Sequence, residues 1–231
     1  MAELEATASA LGRLDPIVGG ACVIARSLEL SDLMDELAKE RPLFHSEADF
    51  QLAFGLAAHD MAPDVNVRLE VRQTKGEYLD LLCIRGSART AIEFKYFTRS
   101  FTYDDPRTRE EFRLKSHAAD DLARLHFVTD IQRLERCRDT TPGTNGLAIM
   151  LTNHAGLWSE PRGKRPTRDR NFRIHEGRSI GGELRWGNGD CPKNDRYLAG
   201  DYQLSWRDYG EGLNQNPGGE FRWLCVEVTG R

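Results

Sequence analysis

The stretch YLDLLCIRGSARTAIEFKY, residues 78–96, decides how this chain is read. Two apolar runs flank Gly86-Ser87. The first carries Asp80, the second Glu93, and Lys95 follows Glu93 by two places. Glycine at the first position of a two-residue connection suits a type II′ hairpin turn. Counted outward from that turn, Asp80 meets Glu93. Side chains alternate between faces along a strand, so Asp80, Glu93 and Lys95 share one face. The other face takes Leu79, Leu81, Cys83, Ile92, Phe94 and Tyr96 and reads as core. Opposed side chains have Cβ atoms roughly 4.5–5.5 Å apart, and like charges there repel. In a half-buried place two such carboxylates resist joint ionisation. A divalent cation offsets the repulsion, and Mg2+ favours one or two carboxylates with water and phosphate oxygens. An adjacent lysine can hold or deprotonate a water beside the ion. A solvated strand face also carries Glu-x-Lys pairs. Ile84 lies on the same face as Asp80, however, where a freely solvated strand would be polar.

Working outward, LELSDLMDELAKERP predicts a helix with Ser31 as N-cap, Leu33, Met34, Leu37 and Ala38 as its apolar stripe, and Pro42 beyond its end. HSEADFQLAFGLAAHDM predicts a second helix. Ser46 is its N-cap, Asp49 the capping-box acid, Glu47 the first helical residue, and Phe50, Ala53, Phe54 and Ala57 the stripe. Alternation predicts strands over 65–71, 78–84 and 90–97. The polar TRSFTYDDPRTREEF reads as a loop. Leu114, Ala118, Leu122, Leu125, Val128, Ile131 and Leu134 then recur at helical spacing and predict one long helix opened by Lys115, Ser116 and His117. PGTNG is a turn, and LAIMLTN is a continuous apolar run of the kind found in buried central strands. Shorter strands are expected at 172–175, 183–186, 202–206 and 221–228. The sum is an α/β fold on a mixed sheet. Residues 1–25 are expected to be loosely ordered, 26–160 to form the core, and 161–231 to form a β-rich C-terminal extension packed on it.

The 231 residues are 39% hydrophobic and 29% charged, which suits one globular domain with an extension. A net charge of −4 excludes a global basic field for nucleic acid, so an anionic partner would be held by local patches or by metal ions. Five cysteines without metal-ligand or redox spacing fit a reduced, cytoplasmic setting. The leading MAELEATASALGRLDP does not read as a secretory signal, and no run reaches the roughly 20 apolar residues of a membrane span. The six histidines have no zinc-ligand spacing, and the chain has neither a P-loop nor a dinucleotide glycine signature. Trp158, Trp186, Trp206 and Trp223 read as packing residues.

Asp80 followed by Glu93-Phe94-Lys95 resembles the PD-(D/E)XK phosphodiesterase superfamily, which includes many restriction endonucleases and repair nucleases. That superfamily has an αβββαβ core. Its Asp lies on the second core strand, its Glu-x-Lys on the third, and a further Glu commonly comes from the preceding helix, where Glu47 stands. The element order read above matches over roughly residues 44–154. Leu79 replaces the proline that precedes the motif's Asp. The resemblance implies a restriction-endonuclease-like fold and metal-dependent phosphodiester hydrolysis. Asp80, Glu93 and the Phe94 carbonyl would bind Mg2+ or Mn2+, and Glu47 would bind a second ion or its water. Lys95 would orient or deprotonate the attacking water.

A basic loop holds Arg162, Lys164, Arg165, Arg168, Arg170 and Arg173 against Asp169 alone. With Lys115 it is the candidate phosphate grip, in particular Lys164, Arg165, Arg168 and Arg170. The expectation is therefore a Mg2+- or Mn2+-dependent nuclease, with DNA favoured over RNA as partner and no membrane partner. A homodimer or a partner protein is compatible with it. The alternative is a catalytically idle nucleic-acid- or partner-binding protein on the same fold. A third reading is a plain α/β domain with charged strands.

Overall fold

The computed structural model describes residues 22–163, 166–211, 213 and 215–229. In chain order the elements are β1 (Val23–Ile24), β2 (Leu28–Glu29), α1 (Leu30–Glu40), α2 (Glu47–Met61), β3 (Asn66–Thr74), β4 (Glu77–Arg85), β5 (Ala88–Phe97), β6 (Phe101–Asp104), β7 (Glu111–Leu114), α3 (Asp120–Thr140), β8 (Thr144–Thr152), α4 (Ala155–Trp158), β9 (Ser179–Leu184), β10 (Arg196–Gln203), β11 (Trp206–Asp208) and β12 (Arg222–Val228). The architecture is mixed α/β. A six-stranded mixed sheet runs in the order β11-β12-β8-β5-β4-β3. Strands β3, β4 and β5 form an antiparallel meander, and β8 returns parallel to β5 after α3. One apolar cluster joins α1 and α2 to one face of the sheet, and a second joins α3 and the C-terminal segments to the other. Among the described residues no helix is long and apolar enough to cross a membrane.

The sheet's centre follows from sequence. Leu147 to Leu151 of β8 are each at most 1% exposed, as a strand covered on both faces requires. Gly86 has φ +58, and Ser87 is not among the positive-φ residues, which fits the type II′ turn. The pairs Arg85↔Ala88 through Leu81↔Ile92 follow the counted register. Ser46 caps α2 by accepting from the Asp49 N–H at 3.2 Å. The Asp49 carboxylate accepts from His45 N–H and takes Arg41 Nη2 between its two oxygens, so it closes the helix start one residue earlier than a capping box would. Helix α2 lies close on the sheet: a Cβ at Gly55 would sit 3.2 Å from Val67 Cγ1. The ring of Phe94 is wedged between Phe50 and Phe54 of α2, with centroids 5.1 and 5.0 Å away. Burying such a ring contributes about 1.5–3 kcal/mol, and here it fixes the Glu93-Phe94-Lys95 segment from behind.

Several expectations change. The N-cap of α1 is Glu29, not Ser31, because β2 runs directly into the helix and Leu30, 1% exposed, is pulled into its first turn. Of the expected loose segment 1–25, residues 1–21 lie outside the described residues, while β1 pairs with β2 and buries Ile24 and Ala25. The expected loop after β5 is a ribbon, β6–β7, that buries Phe101, Phe112 and Leu114. Helix α3 starts at Asp120, after Ala119 in the left-handed region at φ +67. Lys115, Ser116 and His117 therefore precede the helix. They are tied to the end of β5 through Thr98 and Ser100. Residues 172–175 are not a strand, since Arg170–Phe172 is a single 3-10 turn. The tail is part of the central sheet. Strand β12 pairs along the whole of Val228↔Gly146 to Arg222↔Thr152, while β9–β10 of the tail forms a ribbon of its own. The four tryptophans are buried, as expected.

Candidate active site

The site begins where β4 parts from β5. Their ladder ends at Leu81↔Ile92, and the β3–β4 ladder skips Asp80, whose counterpart Glu70 is in the left-handed region at φ +52. In a continued antiparallel pairing the Phe94 and Tyr96 N–H groups would donate to β4. Here Phe94 N–H donates to Asp80 Oδ2 at 2.7 Å, and Tyr96 N–H donates to Glu47 Oε2 at 2.8 Å. Two carboxylates thus replace a missing strand along a short notch in the sheet, and backbone donors fix both. An unmet backbone donor in such a place would cost about 1–3 kcal/mol, so the positions of Asp80 and Glu47 are strongly held. The same kink redirects Leu79. Expected beside Leu81, it packs with Val71 in the cluster under α3.

Glu93 and Lys95 face α3, as the alternation requires. Glu93 is 2% exposed, and Arg133 of α3 grips it with Nη2 at 3.1 Å from Oε1 and Nη1 at 3.3 Å from Oε2. Arg133 also donates to the Tyr78 carbonyl. Lys95 Nζ lies 2.9 Å from Asp130 Oδ2, donates to the Phe94 carbonyl at 2.8 Å and stands 4.0 Å from Glu47 Oε1. The lysine contact to Asp130 is an ion pair out of line for a good hydrogen bond, so that carboxyl oxygen is buried without an aligned donor. Sequence reasoning missed Asp130 and Arg133. Asp130 carried a signal: it lies among Phe127, Val128, Ile131 and Leu134 on the buried face of α3, where a charge needs a partner.

Four carboxylates, Glu47, Asp80, Glu93 and Asp130, meet two cations, Lys95 and Arg133. Burial pushes Glu93 up to about 9, with Asp130 and Asp80 adding repulsion that Arg133 and Lys95 only partly offset. Burial also raises Glu47 and Asp130. Burial alone would lower Lys95, but the pull of Asp130 and Glu47 outweighs it and raises the ammonium above its usual range. Burial and the Lys95 charge lower nearby His126. The excess of acid is the property a divalent cation neutralises. Among the described residues no three His, Cys, Asp or Glu side chains are arranged to hold a metal ion by themselves. The donor set nevertheless fits the magnesium pattern of one or two carboxylates completed by a carbonyl, water and phosphate oxygens. Asp80, Glu93 and the Phe94 carbonyl, which here accepts from Lys95 Nζ, are the groups that would supply those donors.

The basic residues are placed less decisively. Lys164 and Arg165 lie outside the described residues. Arg168 is exposed and approaches Asp121 at 3.8 Å, and Arg170 is exposed at the 3-10 turn. Asp169, read as the loop's lone acid, is buried and paired with Arg124 at 2.7 Å and Arg173 at 3.3 Å. Arg173 therefore belongs to the interior rather than to a phosphate grip. Lys115 is exposed, and its carbonyl accepts from Thr98 Oγ1. Among the described residues no ion pair or side-chain hydrogen bond joins Arg168, Arg170 or Lys115 to the carboxylate notch. No family model matches this chain, no curated protein is similar to it, and no solved structure matches its fold.

Proposed function

We propose that this chain is a metal-dependent nuclease of the PD-(D/E)XK kind that hydrolyses phosphodiester bonds, with DNA favoured over RNA. The observation that carries the reading is the notch: Asp80 from β4, Glu93 and Lys95 from β5 and Glu47 from α2 converge where two strands part. The run α2–β3–β4–β5–α3–β8, with β8 parallel to β5, supports an αβββαβ core. Asp80, Glu93 and the Phe94 carbonyl would hold Mg2+ or Mn2+, which would supply a more acidic water and stabilise charge on the phosphate. Lys95 stays protonated at neutral pH, so it orients the nucleophile and offsets phosphate charge rather than removing a proton. Glu47 has the complementary character: its carboxyl is raised by burial, and Oε1 faces Lys95 while Oε2 is held by Tyr96 N–H. That makes Glu47 the group suited to take the proton of the attacking water. The surface arginines Arg168 and Arg170 contribute phosphate attraction without base readout.

The idle-protein alternative has one observation in its favour: in this structure Arg133 occupies Glu93 and Asp130 occupies Lys95. Incubation with plasmid and single-stranded DNA separates the readings. The nuclease reading expects cleavage with Mg2+ or Mn2+ that EDTA and Asp80→Ala abolish. Binding without cleavage under every metal condition refutes it and supports the idle protein.

A further inference from the structure

We infer that Arg133 is a built-in stand-in for the divalent ion: its guanidinium holds Glu93 in the metal-free protein, and loading the ion and releasing this arginine are one event. The inference rests on reading the notch as a divalent-ion site and adds what must move when the site fills. Both Glu93 oxygens are taken by the guanidinium, at 3.1 and 3.3 Å. A doubly charged ion on the same carboxylate would face that guanidinium at contact distance in a place nearly closed to solvent, where like charges repel strongly. One of the two must leave. Glu93 is 2% exposed and lies mid-strand, paired with Ala148 of β8, so it is fixed. Arg133 has 23% of its side chain exposed and sits on the outer edge of α3's buried face, so it has a path outward. Its other contacts, the Tyr78 carbonyl and Asp130 at 3.7 Å, do not bind it to the interior as Asp130 and Phe94 bind Lys95.

The released guanidinium is planar, permanently charged and forked, which is the shape that takes two phosphate oxygens. A phosphodiester placed at the notch therefore accepts the arginine that the ion displaces. Ion and substrate then favour each other's binding, because each stabilises the same displaced arrangement.

The test is a calorimetric Mn2+ titration of EDTA-stripped wild type, Arg133→Met and Arg136→Met. Arg136 is on the same helix and pairs with Glu77, so its removal changes the local field without freeing Glu93. Arg133→Met is expected to bind Mn2+ about tenfold or more tightly, since a two-pronged charge-assisted pair no longer has to be broken. Arg136→Met is expected to stay within about twofold. If Arg133→Met does not fold, Arg133→Lys serves instead. It keeps the charge and loses the fork, and should tighten binding by about threefold. Unchanged or weaker binding by the Arg133 variants overturns the inference, as does equal tightening by Arg136→Met. Mn2+ binding by wild type without any gain in the variants overturns the arginine inference alone. Absence of binding by every protein overturns the metal reading and this inference with it.

Discussion

Replacing Glu93 by glutamine in the presence of EDTA tests the electrostatics of the notch before any catalysis is measured. Glu93 carries a carboxyl raised to about 9 by burial and by Asp130 and Asp80, against an unfolded value of about 4.3. A carboxyl raised by folding favours the protonated native state. Its penalty is absent below the unfolded value, grows as pH rises, and levels off above the folded value. One such group changes stability by up to about 1.4 kcal/mol per pH unit, so between about pH 5 and about pH 8 the ceiling is about 4 kcal/mol. Coupling to Glu47 and Asp130, which also resist ionisation, spreads part of this over the cluster, and about 2–4 kcal/mol is the working figure. Glutamine keeps the shape and an oxygen acceptor for Arg133 but does not titrate. The wild type should lose about 2–4 kcal/mol more than Glu93→Gln over that pH span, read by urea unfolding with the buried tryptophans as probe. Curves for the two proteins that run parallel with pH would show that Arg133 already neutralises an ionised Glu93, and the argument from excess acid would fail.

Two further changes test the frame that holds the notch. Asp169→Ala leaves Arg124 charged and 3% exposed without its partner, and should cost about 3–5 kcal/mol by thermal or urea melting; a loss below about 1 kcal/mol would mean that the pair is solvated in solution. Gly146→Ala places a Cβ 2.8 Å from Leu134 Cβ, where α3 rests on β8, and should destabilise by about 1–3 kcal/mol; a neutral result would mean that the helix stands further from the sheet.

Much of the geometry was legible because it is local. Gly86-Ser87 between alternating runs fixes the turn, and the turn fixes the β4–β5 register. Ser46 caps α2 through a contact three residues away, which its spacing announces. What escaped is tertiary. The β6–β7 ribbon hides because Thr102, Asp104, Glu111 and Arg113 alternate with Phe101, Tyr103, Phe112 and Leu114, so the segment looks polar overall. The helical spacing of Leu114, Ala118 and Leu122 misled because Leu114 is a buried strand residue and Leu122 is 41% exposed. Asp80, Glu93, Lys95 and Glu47 were legible as candidates, and the fold brings them to one place. Asp130 and Arg133 meet β5 only after α3 folds back, and an apolar stripe read from sequence passes over the charges within it. The splay at Asp80 has no sequence signature: it shows in the backbone of Glu70 and in the redirected Leu79.

The central claim is that Asp80, Glu93 and the Phe94 carbonyl form a seat for one divalent ion. Anomalous diffraction from a crystal soaked in Mn2+ tests it most directly. The account predicts a manganese peak in contact with both carboxylates and that carbonyl, with the Arg133 guanidinium moved off Glu93. A crystal in which manganese lies elsewhere, or in which no peak appears and Arg133 still grips Glu93, would contradict it.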